Sequence, residues 1–234
     1  MDERNKYIAL QSWFQTPQGH GVAQAFAAEL TLNQLSLRGK YLLQLGDCGE
    51  NPWLNALHYS YKWFVSPAVD VGNGIRASMT ALPLERDSID CVVAPLTMEA
   101  AAQGKHPMDE IDRVLKSMGY VVFLGINPWS FWGASLRWGR LSCFAHATAT
   151  LSSSLSLKHA MLSRGYQQCM LSSFYYIPPI HQETWIHKLA FLNQMGKMVW
   201  PYPAGFYCLI MQKHAPCMTS VSCTLRDEFY LAQT

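Results

Sequence analysis

Charge is what this sequence has least of: 15% of its 234 residues are Asp, Glu, Lys or Arg, against roughly 25% in an average soluble domain. With 50% hydrophobic residues and a mean hydropathy near zero, little charge is left to solvate a surface. Either the core is large for the chain, or an apolar face is covered by a second copy (a homodimer), a protein partner or a membrane surface. A large core takes precedence, because open α/β sheets are covered on both faces and consume apolar residues. No run of Lys or Arg occurs, and a net charge of +2 with a pI near 8.1 gives no preference for polyanions, so nucleic-acid binding is not expected. No apolar stretch approaches the ~20 residues that span a bilayer. The charged start Met1-Asp2-Glu3-Arg4-Asn5-Lys6 lacks the apolar segment of a secretory signal, and a cytoplasmic protein is expected. Paired cysteines are missing too: Cys48, Cys91, Cys143, Cys169, Cys208, Cys217 and Cys223 form no C-x-x-C unit, which reads as reduced thiols. His214, Cys217 and Cys223 are too few and too irregularly spaced for zinc, so no metal is expected. There is no repeat and no low-complexity tract, and one domain over 1–234 is expected.

What is present is an alternation of short apolar runs and helical patterns. Val22, Phe26 and Leu30 recur at four-residue spacing and predict a helix over 21–35, within an N-terminal helical extension spanning 1–36. Tyr41 to Leu45 reads as a buried strand stopped by Gly46-Asp47-Cys48-Gly49. A helix is expected from Pro52, a second strand over 62–66, a weaker third over 75–79 and a fourth over 89–94 ended by Pro95. Met108, Ile111, Leu115 and Met118 share one face of a helix predicted over 107–118. On its other face Asp109 pairs with Arg113, and Asp112 with Lys116, at i, i+4, and Gly119 stops it. Tyr120 to Leu124 is a fifth, β-branched strand. A helix over 157–164 ended by Gly165, a strand over 168–176, a helix over 185–195 and a last strand over 206–211 follow. Such alternation predicts a mostly parallel sheet built from right-handed crossovers.

Three segments resemble a known family. Leu43-Gln44-Leu45-Gly46-Asp47-Cys48-Gly49 is similar to the first strand and glycine loop of the class I, S-adenosylmethionine-dependent methyltransferases of the UbiE-like "type 11" group. Ala81-Leu82-Pro83-Leu84 followed by Asp87-Ser88-Ile89-Asp90-Cys91-Val92 resembles that group's "LPF…SFDLV" stretch. Asp109 to Gly119 with Tyr120-Val121-Val122 resembles its "RVLKPGG" helix and fifth strand. Asn127-Pro128-Trp129-Ser130-Phe131-Trp132-Gly133 also resembles the "NPWSLWG" stretch of a bacterial subgroup, in which Trp13 to Gly19 matches the N-terminal segment. The resemblance implies a Rossmann-like three-layer α/β/α sandwich with a mostly parallel seven-stranded sheet whose last strand is antiparallel. It implies S-adenosyl-L-methionine as cofactor and a small-molecule acceptor. It places the cofactor against Gly46, Asp47, Cys48, Gly49, Ser66, Thr80, Ala81, Leu82, Pro95 and Leu96, with residues 127–200 as substrate-side or cap insertions.

The pattern is thinner here than in the family. Glycine lets backbone approach a nucleoside closely, yet only Gly46 and Gly49 remain in the loop, and Gly46 could equally end a strand and turn the chain. An acid commonly stands about 20 residues beyond the first glycine to hold the ribose; that register falls on Ser66, and Asp70 is either a displaced ribose acid or a solvated turn residue. Glu99, His106, His146, His159, His181 and His187 are available as bases, with none assigned. Trp129 and Trp132 form either an aromatic wall for substrate or a hydrophobic cap, and Arg137 and Arg140 either meet an acidic substrate or sit in an exposed loop. Two functions remain open: a methyltransferase acting on a small or medium-sized molecule, and a non-catalytic relative with a regulatory or protein-interaction role.

Overall fold

The structure, a computed structural model, describes residues 3–32, 37–68, 74–101, 107–139, 143–144, 151–180, 188–189, 191–196 and 202–214. Two helices come first, α1 (Glu3–Phe14) and α2 (Pro17–Leu32). Lys6, Tyr7, Leu10, Trp13 and Phe14 are the buried face of α1, a stripe at three- and four-residue steps. Thr16 caps α2: its Oγ1 accepts from Gly19 N at 3.2 Å, with Pro17 in the first helical position, where a missing N–H costs nothing.

The strands are β1 (Arg38–Leu45), β2 (His58–Val65), β3 (Gly74–Ile75), β4 (Ile89–Pro95), β5 (Leu115–Ile126), β6 (Tyr166–Phe174) and β7 (Phe206–Lys213). They form one sheet in the order β3-β2-β1-β4-β5-β7-β6. The first five run parallel, and β7 lies antiparallel between β5 and β6. Helices α3 (Thr97–Ala100), α4 (Met108–Val114), α5 (Phe131–Arg137), α6 (Ser154–Leu162) and α7 (Phe191–Met195) complete the three-layer α/β/α sandwich. The apolar runs that defined β1, β4, β5 and β7 are the centre of the core: Leu42, Leu43, Val92, Val93, Val121, Val122, Leu209 and Ile210 are all buried. The shortage of surface charge is thus matched by a sheet buried on both faces.

Several local expectations change. The helix predicted over 107–118 ends at Val114, and Leu115 opens β5. Its last carbonyls go to other parts of the chain: Arg113 O and Val114 O accept from Asp87 N and Ser88 N, and Asp112 O and Leu115 O accept from Lys213 Nζ. Met118, at φ 65°, kinks the strand instead of lying on a helix face. The expected i, i+4 ion pairs are replaced by Arg113–Glu110 (2.8 Å), Lys116–Asp90 (2.7 Å), Arg164–Asp109 (2.8 Å) and Lys213–Asp112 (3.5 Å). The helix expected from Pro52 is a single 3-10 turn, Pro52–Ala56. The third strand shrinks to Gly74–Ile75, leaving Ser78 and Ala81 joined by one isolated bridge. Of the helix expected over 185–195, residues 185–187 and 190 lie outside the described residues and 191–195 are helical.

Candidate functional site under the first helix

Strand order reverses between β1 and β4, because β2 and β3 lie on one side of β1 and β4, β5, β7 and β6 on the other. Outside the carboxyl ends of strands at such a switch point, the two departing loops leave in opposite directions and open a crevice. The candidate residues gather along this edge. Gly46 to Gly49 follow β1, Ser66 follows β2, Thr80 to Leu82 lie beyond β3, and Pro95 and Leu96 end β4. Backbone bonds tie the ends together: Gly46 N donates to Val65 O (2.7 Å), Ser66 N to Ile75 O (3.1 Å) and Leu96 N to Leu124 O (2.8 Å). Thr97 Oγ1 donates across the switch point to Leu45 O at 3.1 Å.

Both loops at the switch point leave their strands through positive φ. Gly46 has φ 99°, open only to glycine at no steric cost, and Leu96 has φ 52° while fully buried. Such a conformation costs a β-carbon-bearing residue on the order of 1–3 kcal/mol and is held only where its surroundings over-determine it.

The glycine loop owes its shape to Gln44, a polar side chain completely buried in an apolar strand. Its Nε2 donates to Gly46 O (2.9 Å) and Asn51 Oδ1 (2.7 Å), and its Oε1 accepts from Trp53 Nε1 (3.0 Å). Asn51 Nδ2 in turn donates to Gly49 O at 2.6 Å. Asp47 closes the turn by accepting from Gly49 N at 3.0 Å. Cys48 is buried, and burial pushes its thiol pKa well up, with Asp47 adding to the rise. Gln44 and Asn51 carry the loop and were not singled out from the sequence; the signal available was a glutamine inside Tyr41-Leu42-Leu43-Gln44-Leu45.

Ser66 is buried at the register where an acid was sought, and its Oγ accepts from Ala68 N at 3.2 Å; Asp70 lies outside the described residues. The backbone of Leu82 is already engaged: its N–H donates to Glu110 Oε2 (2.9 Å) and its carbonyl accepts from Arg113 (2.8 Å). The Arg113 hydrogen bond holds the Glu110 carboxyl below its ordinary pKa. The two tryptophans separate. Trp132 is in the core, its Nε1 donating to Ile177 O at 2.8 Å and its ring edge-on to Trp13 at 5.9 Å. Trp129 is 78% exposed. His159 sits on α6, whereas His106, His146, His181, His187, Arg140, Cys217 and Cys223 lie outside the described residues. Among the described residues no group of His, Cys, Asp and Glu could hold a metal ion, and no helix is long and apolar enough to cross a membrane.

The crevice is filled by α1. The Tyr7 ring lies against Gly46, so a β-carbon there would stand 3.1 Å from Tyr7 Cε1, and a β-carbon on Gly49 would collide with Gln15 Nε2. Gln11 Nε2 donates to Asp47 Oδ2 (2.8 Å), Lys6 Nζ to Ala101 O (3.3 Å), and Ser78 Oγ to Glu3 Oε2 (3.2 Å). One helix therefore touches the loops beyond β1, β3 and β4. The Tyr7 hydroxyl is buried without a well-aligned hydrogen-bond partner among the described residues, and burial drives its pKa well above the ordinary tyrosine value. Beneath it Glu99 is fully buried on α3. Its Oε1 accepts from Ile126 N at 3.0 Å, its Oε2 has no partner among the described residues, and burial pushes its pKa up to about 8.

Residues 56–123 match the family model described as "Methyltransferase domain". No curated protein matches the chain. Among solved structures, an S-adenosylmethionine-dependent methyltransferase from Mesorhizobium loti is 14% identical, with a TM-score of 0.55 over 80% of this chain and 96% of that one. A chain of the Haloferax volcanii complex containing the Trm112 methyltransferase activator is 17% identical, with a TM-score of 0.63 over 92% of this chain and 98% of that one. The [4+2]-cyclase SpnF is 13% identical, with a TM-score of 0.53 over 81% of this chain and 80% of that one. At these identities the likeness is one of fold, and the fold is that of the S-adenosylmethionine-dependent methyltransferases.

Proposed function

We propose that this protein is an S-adenosylmethionine-dependent methyltransferase acting on a small or medium-sized acceptor. The observation that carries the reading is the switch point itself, where Gly46 and Leu96 turn away through positive φ on either side of Thr97. The residues present fit the cofactor on the backbone side: Gly46 and Gly49 leave room that a β-carbon would take, and what now occupies that room is Tyr7 and Gln15. Gly46 to Gly49 would hold its amino-acid end, Ser66 its ribose, Thr80 to Leu82 its adenine, and Pro95 and Leu96 the reacting end. When bound, the cofactor supplies an already activated methyl group, so the protein has chiefly to align the acceptor and exclude water.

In this reading α1 is the cover of the site. Its C-terminal half is anchored by Trp13 and Phe14, which pack edge-on to Trp132 and Trp53 at 5.9 and 5.7 Å. Its N-terminal part holds the crevice through Glu3, Lys6, Tyr7 and Gln11. The same occupation favours a second reading, a non-catalytic protein whose crevice is permanently filled by its own helix; the absence of an acid at Ser66 favours it too. Thermal melting of the full chain with S-adenosylhomocysteine separates them. A ligand at a hundred times its Kd stabilises by about 2.7 kcal/mol, and a saturable rise in Tm is expected. No shift at millimolar ligand would favour the non-catalytic reading.

A further inference from the structure

Glu99 is fully buried and ties α3 to the end of β5 through one of its two carboxyl oxygens. It stands just past β4, at the carboxyl edge of the sheet, with Oε1 on Ile126 N at the end of β5 and Oε2 without a partner among the described residues. The groups acting on one another around it are Tyr7 from α1, Tyr207 from β7, and Cys143. All are neutral. The Tyr207 hydroxyl donates elsewhere, to Ser152 O at 3.1 Å. Lys6, the buried cation of α1, is spent on Ala101 O, and among the described residues no cation is paired with Glu99. Ionising a buried carboxyl that has neither a donor on Oε2 nor a countercharge among the described residues is costly, so Glu99 keeps its proton until a ligand supplies them, and it lies beside the switch point under the helix that covers it.

We propose that Glu99 binds the methyl acceptor through Oε2, that this acceptor is a primary amine, and that Glu99 takes its proton; the inference rests on the methyltransferase reading. An ammonium group supplies both things that the ionised carboxyl lacks among the described residues, an N–H donor and a positive charge. An alcohol supplies only the donor and leaves the carboxylate uncompensated. In the reaction one N–H proton passes from the ammonium to Glu99 Oε2, leaving a neutral amine and a neutral carboxylic acid. The freed nitrogen lone pair forms a bond to the methyl carbon of the sulfonium donor. The carbon–sulfur bond breaks with its electron pair going to sulfur, giving a thioether and a methylammonium product. Charge is conserved, and a carboxyl whose pKa lies near working pH is suited to the proton transfer.

The test uses the full chain, wild type and Glu99→Gln, titrated calorimetrically with benzylamine and with its neutral isostere benzyl alcohol, with and without S-adenosylhomocysteine. Benzylamine is expected to bind wild type in preference to benzyl alcohol. Its affinity should rise by up to about tenfold per pH unit between pH 6 and 8, because one proton leaves Glu99 on binding. Glu99→Gln should lose at least tenfold in benzylamine affinity and all of that pH dependence, while its response to S-adenosylhomocysteine stays that of wild type. Equal benzylamine binding by wild type and Glu99→Gln, equal binding of the amine and the alcohol, or no amine binding to wild type would overturn the proposal. Amine binding that depends on Glu99 where S-adenosylhomocysteine gives no heat would support the Glu99 site and remove the donor reading.

Discussion

Replacing Glu99 by glutamine should make the protein more stable at neutral and alkaline pH, and the size of the effect follows from where the side chain sits. In the unfolded chain a glutamate titrates near pH 4.3, while in the folded protein burial pushes Glu99 up to about 8. Between those values the folded state holds a proton that the unfolded state has released. Stability from this group is therefore full below about pH 4.3 and is lost as pH rises through 8, by at most about 5 kcal/mol at 1.36 kcal/mol per unit. Glutamine keeps an oxygen for the Ile126 N–H and does not titrate. Urea unfolding followed by tryptophan fluorescence at pH 5, 6, 7 and 8 should show wild type losing several kcal/mol relative to Glu99→Gln, with m unchanged and the two proteins converging toward pH 5. Parallel stability curves, or a variant less stable than wild type at pH 8, would refute the burial argument.

Removing the ring that covers Gly46 should uncover the crevice. Tyr7→Ala is expected to lower stability by about 3 kcal/mol, as other buried aromatic truncations do. It should also tighten S-adenosylhomocysteine binding about tenfold, the effect of removing some 1.4 kcal/mol of closure; calorimetry giving unchanged or weaker binding would count against α1 as a cover. Gln44→Leu strands Trp53 Nε1 and leaves Gly46 O and Asn51 Oδ1 without their donor. At about 1–3 kcal/mol for each orphaned group, melting should show a large loss, with the far-ultraviolet circular dichroism of the folded protein retained. Trp132→Ala should cost about 3–5 kcal/mol and Trp129→Ala no more than about 0.5 kcal/mol, a contrast that urea unfolding measures directly.

The sheet was legible because its central strands are apolar runs bounded by turn residues, as in Tyr41 to Leu45 before Gly46 and Ile89 to Ala94 before Pro95. Their order also carried the methyltransferase resemblance. The long helix over 107–118 misled because its 3.6-residue pattern continues through Leu115 and Met118, while the carbonyls that would extend it are taken by Asp87, Ser88 and Lys213. No periodicity reports such a tertiary competitor. The places of Gly46 and Leu96 at the ends of β1 and β4 were legible from the strand boundaries and the family resemblance, and Gln44 could have been found as a polar residue inside a buried strand. The stripe Tyr7, Leu10, Phe14 marks α1 as a packed helix, but nothing in the chain says which surface it packs on. That it lies on the crevice depends on contacts with Gly46, Asp47 and Ser78, residues 36 to 75 positions further along the chain than their partners.

If the switch point under α1 holds the cofactor, amide hydrogen exchange of the full chain with and without S-adenosylhomocysteine should register it. With ligand, the amides of 46–51 and 96–97 are expected to gain protection while those of the N-terminal part of α1, residues 3–11, lose it as the helix gives up its contacts with Gly46 and Asp47. Unchanged exchange in both regions at saturating ligand, or protection appearing away from the carboxyl ends of β1 and β4, would contradict it.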